Sequence, residues 1–151
     1  MASLVAVAGC KKPESASETQ QDMAAAEAEG QQKVDEARAE AAQDINAARQ
    51  EETQTTIESA GNSNPADAAA NNMGAHTDTM KTEAEGRYKV ESAEIEAAYK
   101  VEKERCDAST GSARDTCLNQ AKTDYERKLS EAKNRRDSIR GALDGNSVAR
   151  P

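Results

Sequence analysis

Residues 99–125 read YKVEKERCDASTGSARDTCLNQAKTDY, and this stretch decides the fold. If the chain reverses about Gly111, residues that face each other across an antiparallel helical hairpin have residue numbers with a nearly constant sum of about 223. Two pairs within the stretch satisfy this condition: Cys106 with Cys117, and Tyr99 with Tyr125. The stretch therefore predicts a helical hairpin, with Ser112 as the N-cap of its second helix.

The same mirror register extends along both arms of the hairpin. Four further pairs obey it: Ile95 with Leu129, Ala84 with Ile139, Val90 with Ala132, and Val101 with Ala121. Because the hairpin has little aliphatic surface to bury, a disulfide that closes so short a loop, at about 3 kcal/mol, would decide much of its stability. We predict a Cys106–Cys117 disulfide. Free or redox-active thiols and a metal-bound pair are the alternatives.

The composition excludes an ordinary globular core. Only 14 of the 151 residues are Leu, Ile, Val or Phe, and 30 are Ala. A packed globule needs a large-aliphatic share of at least about 20 %. With no Trp, no Phe and three Tyr, a substrate pocket has almost nothing to line it. The predicted fold is all-α, with long extended helices: a disulfide-stapled antiparallel hairpin in the C-terminal half and a weaker acidic helix in the N-terminal half.

An internal repeat lies at an offset of 56 residues. Residues 27–42 (EAEGQQKVDEARAEAA) align with residues 83–98 (EAEGRYKVESAEIEAA), and ten of the sixteen positions are identical. Ala and Glu bias accounts for some of these identities. Three matched pairs go beyond it: Gly30 with Gly86, Lys33 with Lys89, and Val34 with Val90. The alignment predicts a duplicated helical unit.

The charge distribution bears on the partners. The net charge is −8, with the acidic excess concentrated before residue 60, which argues against nucleic acid as a partner. Intrahelical ion pairs with the acid four residues ahead of the base are expected, among them Glu85/Lys89 and Glu131/Arg135. Basic residues near the C-terminus are expected to complement a helix dipole, with an anionic partner as the alternative. These are Lys133, Arg135, Arg136 and Arg140.

No pattern in the chain predicts catalysis. It has no Gly-rich phosphate loop, nucleophile elbow or Cys/His pair, so we predict no catalytic residue, no cofactor and no metal site. The single histidine, His76, lies in a Gly-Ala-His-Thr segment without acidic residues at ligand spacing, and we expect a solvated side chain. The three tyrosines are expected to fill the hairpin seam.

The N-terminal segment resembles a lipoprotein processing site. Residues 2–9 are uncharged and small or aliphatic, and VAGC at residues 7–10 resembles the bacterial lipobox, which implies a lipid anchor on Cys10. Lipidation there would leave Cys106 and Cys117 as an even pair in an oxidising periplasm. The apolar run is short and no basic residue precedes it, so we expect the start to lie inside a longer signal peptide. A frayed apolar terminus on a cytosolic protein is the alternative.

Five segments follow from these patterns. They are a residual lipoprotein signal peptide at 1–9, a lipid-anchored acidic helix at 10–60, a flexible linker at 61–79 that contains Gly, Asn and Pro breakers, the helical hairpin at 80–143, which Gly141 and Gly145 are expected to close, and a frayed tail at 144–151.

Taken together, the VAGC start, the Ala/Glu/Gln-rich middle and the two-cysteine hairpin resemble small proteobacterial lipoproteins often labelled TolA-like cell-envelope proteins. The resemblance implies a place in the cell envelope and supplies no catalytic residues. Lys11 instead of Asp after the lipidated cysteine points, by resemblance to sorting in enteric bacteria, to the outer membrane. The expected attachment is through acyl chains, more than one of which is needed for stable anchoring.

The leading functional hypothesis is a non-enzymatic, lipid-anchored periplasmic helical protein that acts as a spacer, scaffold or interaction arm. The expected partners are the membrane, an envelope protein or peptidoglycan, and a second copy through its helices. A soluble stress-protective protein of the late-embryogenesis-abundant type, disordered until dried or bound, is the alternative, because such proteins share the Ala/Glu/Lys-rich, repeat-bearing composition.

Overall fold

All regular structure that the computed structural model describes, within residues 15–148, is helical. Its helices are α1 (Ala16–Ala60), α2 (Pro65–Asp107) and α3 (Gly111–Val148). At about 1.5 Å of rise per residue they are roughly 67, 64 and 57 Å long. The buried apolar residues in this range are Ala26, Val34, Ala41, Ala84, Cys106 and Ala132. The predicted all-α fold without a globular core is confirmed.

The helix α2 lies between the other two and runs antiparallel to both. It contacts α1 along most of its length and α3 along its C-terminal part, while α1 and α3 do not contact each other within residues 15–148. The three helices therefore form an open layer in which every interhelix contact involves α2.

Two N-terminal caps set where α1 and α2 begin. Ser15 and Glu18 form a capping box: the Ser15 hydroxyl accepts from the Glu18 N–H at 3.3 Å, and the Glu18 carboxylate accepts from the Ser15 N–H at 2.9 Å. Asn64 caps α2 by accepting from the Ala66 N–H, and Pro65 occupies the first turn, where its missing N–H costs nothing.

The predicted flexible linker at 61–79 is wrong beyond Asn64. Only residues 61–64 connect α1 to α2, and 65–79 form the first turns of α2. The Asn, Asn and Gly in that stretch are tolerated because α2 packs on α1 here, where the Thr79 hydroxyl donates to the Ala48 carbonyl at 3.3 Å. Tertiary contact outweighs weak local helix propensity.

The ends of α3 also differ from the prediction. The helix begins at Gly111, whose φ of 59° lies in the left-handed region that glycine tolerates, one position ahead of the predicted cap Ser112. Gly141 does not end the helix, which continues to Val148, so residues 144–148 of the predicted frayed tail are helical. Residues 149–151 lie outside the described range.

Small residues hold α1 and α2 close together. We call the contact around Gly30 and Ala41 of α1 and Gly86 and Ala97 of α2 the α1–α2 seam. A Cβ atom built on Gly30 would lie 2.6 Å from the Ala97 Cβ, and one on Gly86 would lie 3.2 Å from the Ala41 Cβ. Both glycines are buried, so the helix backbones approach more closely than side chains at these positions would allow.

Gly30→Ala is expected to destabilise the protein although alanine is the better helix former. The propensity gain of about 1 kcal/mol is outweighed by an overpacking cost of about 1–3 kcal/mol against Ala97. Gly74→Ala is the matched control, because a Cβ there meets nothing within 4 Å, and it should stabilise by about 1 kcal/mol. Urea unfolding measures both, and Ala97→Gly should partly rescue Gly30→Ala. Equal stabilisation by the two glycine substitutions would contradict the close approach.

Candidate functional site

The disulfide at the α2–α3 turn joins the two cysteines that the sequence singled out. Cys106 and Cys117 are bonded with a Cα–Cα distance of 5.5 Å, and Cys106 is fully buried. The Arg114 guanidinium pairs with the Asp107 carboxylate across the same turn. We call this region, residues 106–117, the stapled tip.

Two tyrosines stack directly behind the stapled tip, in the predicted register. The rings of Tyr99 and Tyr125 lie 4.7 Å apart with an interplanar angle of 27°, and the Lys103 ammonium lies 5.8 Å from the Tyr99 centroid. A cleft of about 400 Å³ runs between α2 and α3 beside the stack. Its walls combine Ile95, Ala98 and Ala121 with the charged Glu102, Asp124 and Lys128.

The basic residues of α3 bind acids of α2. Glu85 accepts from Arg136 at 3.5 Å and from Arg140 at 3.4 Å, and Arg135 pairs with Glu91. This corrects the expectation that the C-terminal basic residues complement a helix dipole. Arg135 and Glu85 pair across helices instead of within their own, because the side chains on facing helices lie within reach.

One arginine of this group also covers the third tyrosine. The guanidinium carbon of Arg136 lies 4.4 Å from the Tyr88 ring centroid, and the Arg136 side chain is only 18 % exposed. A partly desolvated cation over an aromatic face contributes more than an exposed surface ion pair. Arg136 therefore holds α3 against α2 through both Tyr88 and Glu85.

Ion pairs of both polarities line the α1–α2 seam. Cations of α2 reach acids of α1, and cations of α1 reach acids of α2. The pairs are Lys89 with Glu40 and Asp44 at 2.9 Å each, Lys100 with Glu29 at 2.8 Å, Lys33 with Glu96 at 3.5 Å, Arg38 with Glu94 at 2.7 Å, and Arg49 with Glu83 at 2.7 Å. Most of these side chains are exposed, so each pair contributes about 0–1 kcal/mol, and the set fixes the register more than the stability.

These contacts shift the pKa values of the groups involved. The hydrogen bond from Lys100, aided by its charge and that of Lys33, lowers the pKa of Glu29, and hydrogen bonds to Glu40 and Asp44 raise the pKa of Lys89. The carboxylates of the seam therefore stay charged to a lower pH when the helices are paired.

The single histidine makes a cross-helix contact that the sequence did not predict. The Nδ1 atom of His76, on an exposed side chain, lies 2.8 Å from the Glu52 carboxylate of α1. Hydrogen bonds from His76 and Thr79 lower the pKa of Glu52. Residues 15–148 contain no group of three or more His, Cys, Asp or Glu placed to hold a metal ion.

The lipid anchor predicted at Cys10 lies outside the described residues. Among residues 15–148, no helix has both the length and the apolar character needed to cross a membrane. Comparison with protein-family models, with curated protein sequences and with solved structures gives no match to this chain.

Two features were missed at the sequence level although their signals are present. Ser15 with Glu18 follows the capping-box pattern. Applying the mirror register to charges as well as to apolar residues would have paired Glu91 with Arg135 and Glu85 with Arg140, whose numbers give sums close to that of the cysteines. The α1–α2 ion pairs have no such signal, because the linker prediction placed α1 apart from α2.

Replacing both cysteines, Cys106→Ser with Cys117→Ser, is expected to loosen α3 selectively. The loop constraint contributes about 3 kcal/mol, and α3 contacts only α2 within the described residues. Hydrogen exchange should therefore accelerate at least tenfold in 111–148 while 16–60 changes little. Uniform acceleration along all three helices would contradict an independent α3, and no change at all would show that the disulfide does not hold it.

Proposed function

We propose that this chain is a non-enzymatic cell-envelope lipoprotein, anchored through Cys10 on the periplasmic side of a membrane. Its helices form an arm that acts as a spacer or scaffold for an envelope partner. The outer membrane is the proposed location because Lys11 follows the anchor.

The position of the α1 N-terminus carries this proposal. Gly30 packs on Ala97 and Glu29 pairs with Lys100, so the antiparallel register brings the start of α1 level with the α2–α3 turn. Cys10 precedes Ser15 by five residues, a span of at most about 18 Å when extended. An anchor at Cys10 would therefore hold the stapled tip near the membrane.

The opposite end of the arm is then the end available to a partner. The α1–α2 turn at residues 61–64 lies one helix length away, about 65 Å from the tip. Large apolar side chains are exposed toward this end: Ile57 at 63 %, Met73 at 48 % and Met80 at 39 %. A spacer that presents its contact surface away from the membrane fits this distribution.

The composition supports a structural role over catalysis. The described seams are filled by alanine, glycine and ion pairs, and acidic residues along exposed helices lack the apolar surroundings that raise a carboxyl pKa for acid catalysis. The same open, charged surface suits an extended arm that must stay soluble at the membrane surface.

Energy transfer to a lipid-bound acceptor tests the proposed orientation. The protein is isolated from membranes, mass spectrometry establishes acylation of Cys10, and the lipidated protein is placed in vesicles with an acceptor on the headgroups. A donor on Ser109→Cys, in the stapled tip, should transfer efficiently. A donor on Ser63→Cys, the matched serine in the other turn, should transfer at least fivefold less, because it lies about 65 Å farther from the surface.

Three results would contradict the proposal. An unmodified Cys10 in the native protein would favour the soluble stress-protective alternative. Equal transfer from the two positions would mean that the arm lies flat on the membrane. Greater transfer from position 63 would reverse the orientation.

A further inference from the structure

The two copies of the internal repeat make equivalent contacts across the α1–α2 seam. Gly30 packs on Ala97, and Gly86 packs on Ala41. Residues 30 and 86 occupy the same repeat position, and so do residues 41 and 97. Each contact is therefore the other with the two copies exchanged.

The ion pairs repeat in the same way. Lys33 binds Glu96 at 3.5 Å, and its repeat equivalent Lys89 binds Glu40, the equivalent of Glu96, at 2.9 Å. Exchange of the two copies thus preserves polar contacts as well as small-residue contacts. The seam has the internal two-fold pseudosymmetry of an isologous dimer, in which one surface patch pairs with a second copy of itself.

One ion pair breaks this pseudosymmetry. Arg38 donates to Glu94 at 2.7 Å, and these two residues occupy the same repeat position. If α1 paired with a second α1, Arg38 would face another Arg38, and α2 with α2 would bring Glu94 against Glu94. Like charges at that point disfavour both pairings and leave α1 with α2 as the matched combination.

The repeat offset also preserves the phase of a continuous helix. An offset of 56 residues is eight heptads, so both copies would fall on one face if α1 and α2 became a single supercoiled helix. The centre of the antiparallel register lies within residues 61–64, which form the connecting turn. Two such straightened chains would pair antiparallel with every seam contact intact.

The rest of the fold leaves α1 free to separate. Within the described residues α1 contacts only α2, and the turn at 61–64 is its covalent connection. The disulfide keeps α3 on α2 in the meantime. Release of α1 therefore breaks one interface and disturbs no other.

We propose that the α1–α2 seam is a self-pairing surface whose partner is a second copy of this chain. Residues 61–64 are the hinge, and opening them exchanges α1 between two molecules to give an antiparallel dimer. Each α1 then packs on the α2 of the other molecule, with Arg38 on the partner's Glu94. The exchange does not depend on a lipid anchor and stands apart from the proposed function.

A straightened hinge tests this directly. In the full-length Cys10→Ser chain, Gly61, Asn62, Ser63, Asn64 and Pro65 are all replaced by Ala, which favours one continuous helix. Light scattering after size exclusion should show a dimer fraction at least tenfold above that of the Cys10→Ser parent at equal concentration, with unchanged helicity by circular dichroism. A monomer, with or without loss of helicity, would overturn the proposal.

Charge reversal then tests whether the seam holds the dimer. Glu40→Lys with Glu96→Lys in the hinge variant removes both repeat-equivalent ion pairs and should weaken dimerisation at least tenfold. The control, Asp22→Lys with Glu36→Lys, makes the same charge change at exposed positions outside the interhelix ion pairs. Equal weakening by both double variants would overturn the seam as the interface.

Isotope mixing distinguishes exchange from side-by-side association. The hinge variant is refolded from a mixture of ¹⁴N and ¹⁵N chains and treated with a carbodiimide, which joins a lysine to a contacting carboxylate. Cross-linked peptides that contain Lys89 and Glu40 should carry one light and one heavy half in the dimer. Peptides of a single isotope throughout would overturn the exchange.

Discussion

The close approach of two helix backbones at Gly30 and Gly86 is the constraint on which the fold depends. A chain with so few large aliphatic residues cannot fill the space between helices at an ordinary separation, so contact requires that the helices themselves come together. Glycine opposite alanine removes the intervening side chains, and dispersion contacts between backbones replace them. Ion pairs at the edges then select one register among the many that a stripe of small residues permits.

The two repeat copies explain why α3 packs on α2 and not on α1. The residues of α2 that contact α3 include Tyr88 and Tyr99, which meet Arg136 and Tyr125 respectively. At the equivalent positions of the first copy, α1 carries Gln32 and Gln43. The first copy lacks the aromatic surface on which a third helix could stack, so the duplicated unit has diverged into a central helix and an outer one.

The sequence predicted what depended on covalent or local patterns. The hairpin register followed from two cysteines and two tyrosines, and the repeat was visible by alignment. The missed features are those in which long-range packing outweighs local preference: the helix through Asn71 and Gly74, which rests on α1, and the α3 end, where Asp144 pairs with Lys81. The pairing of α1 with α2 could not be predicted, since a polar helix with small residues has no strong preference for one partner.

Small-angle X-ray scattering of the oxidised Cys10→Ser chain tests the central claim most directly, namely that the helices fold back on one another to form one arm. A folded arm about 67 Å long gives a radius of gyration of about 20–25 Å. A disordered chain of this length gives about 40 Å, and unpaired extended helices give a comparably large value. A dilute monomer with a radius near 20–25 Å is the predicted result. A monomer near 40 Å would contradict the account.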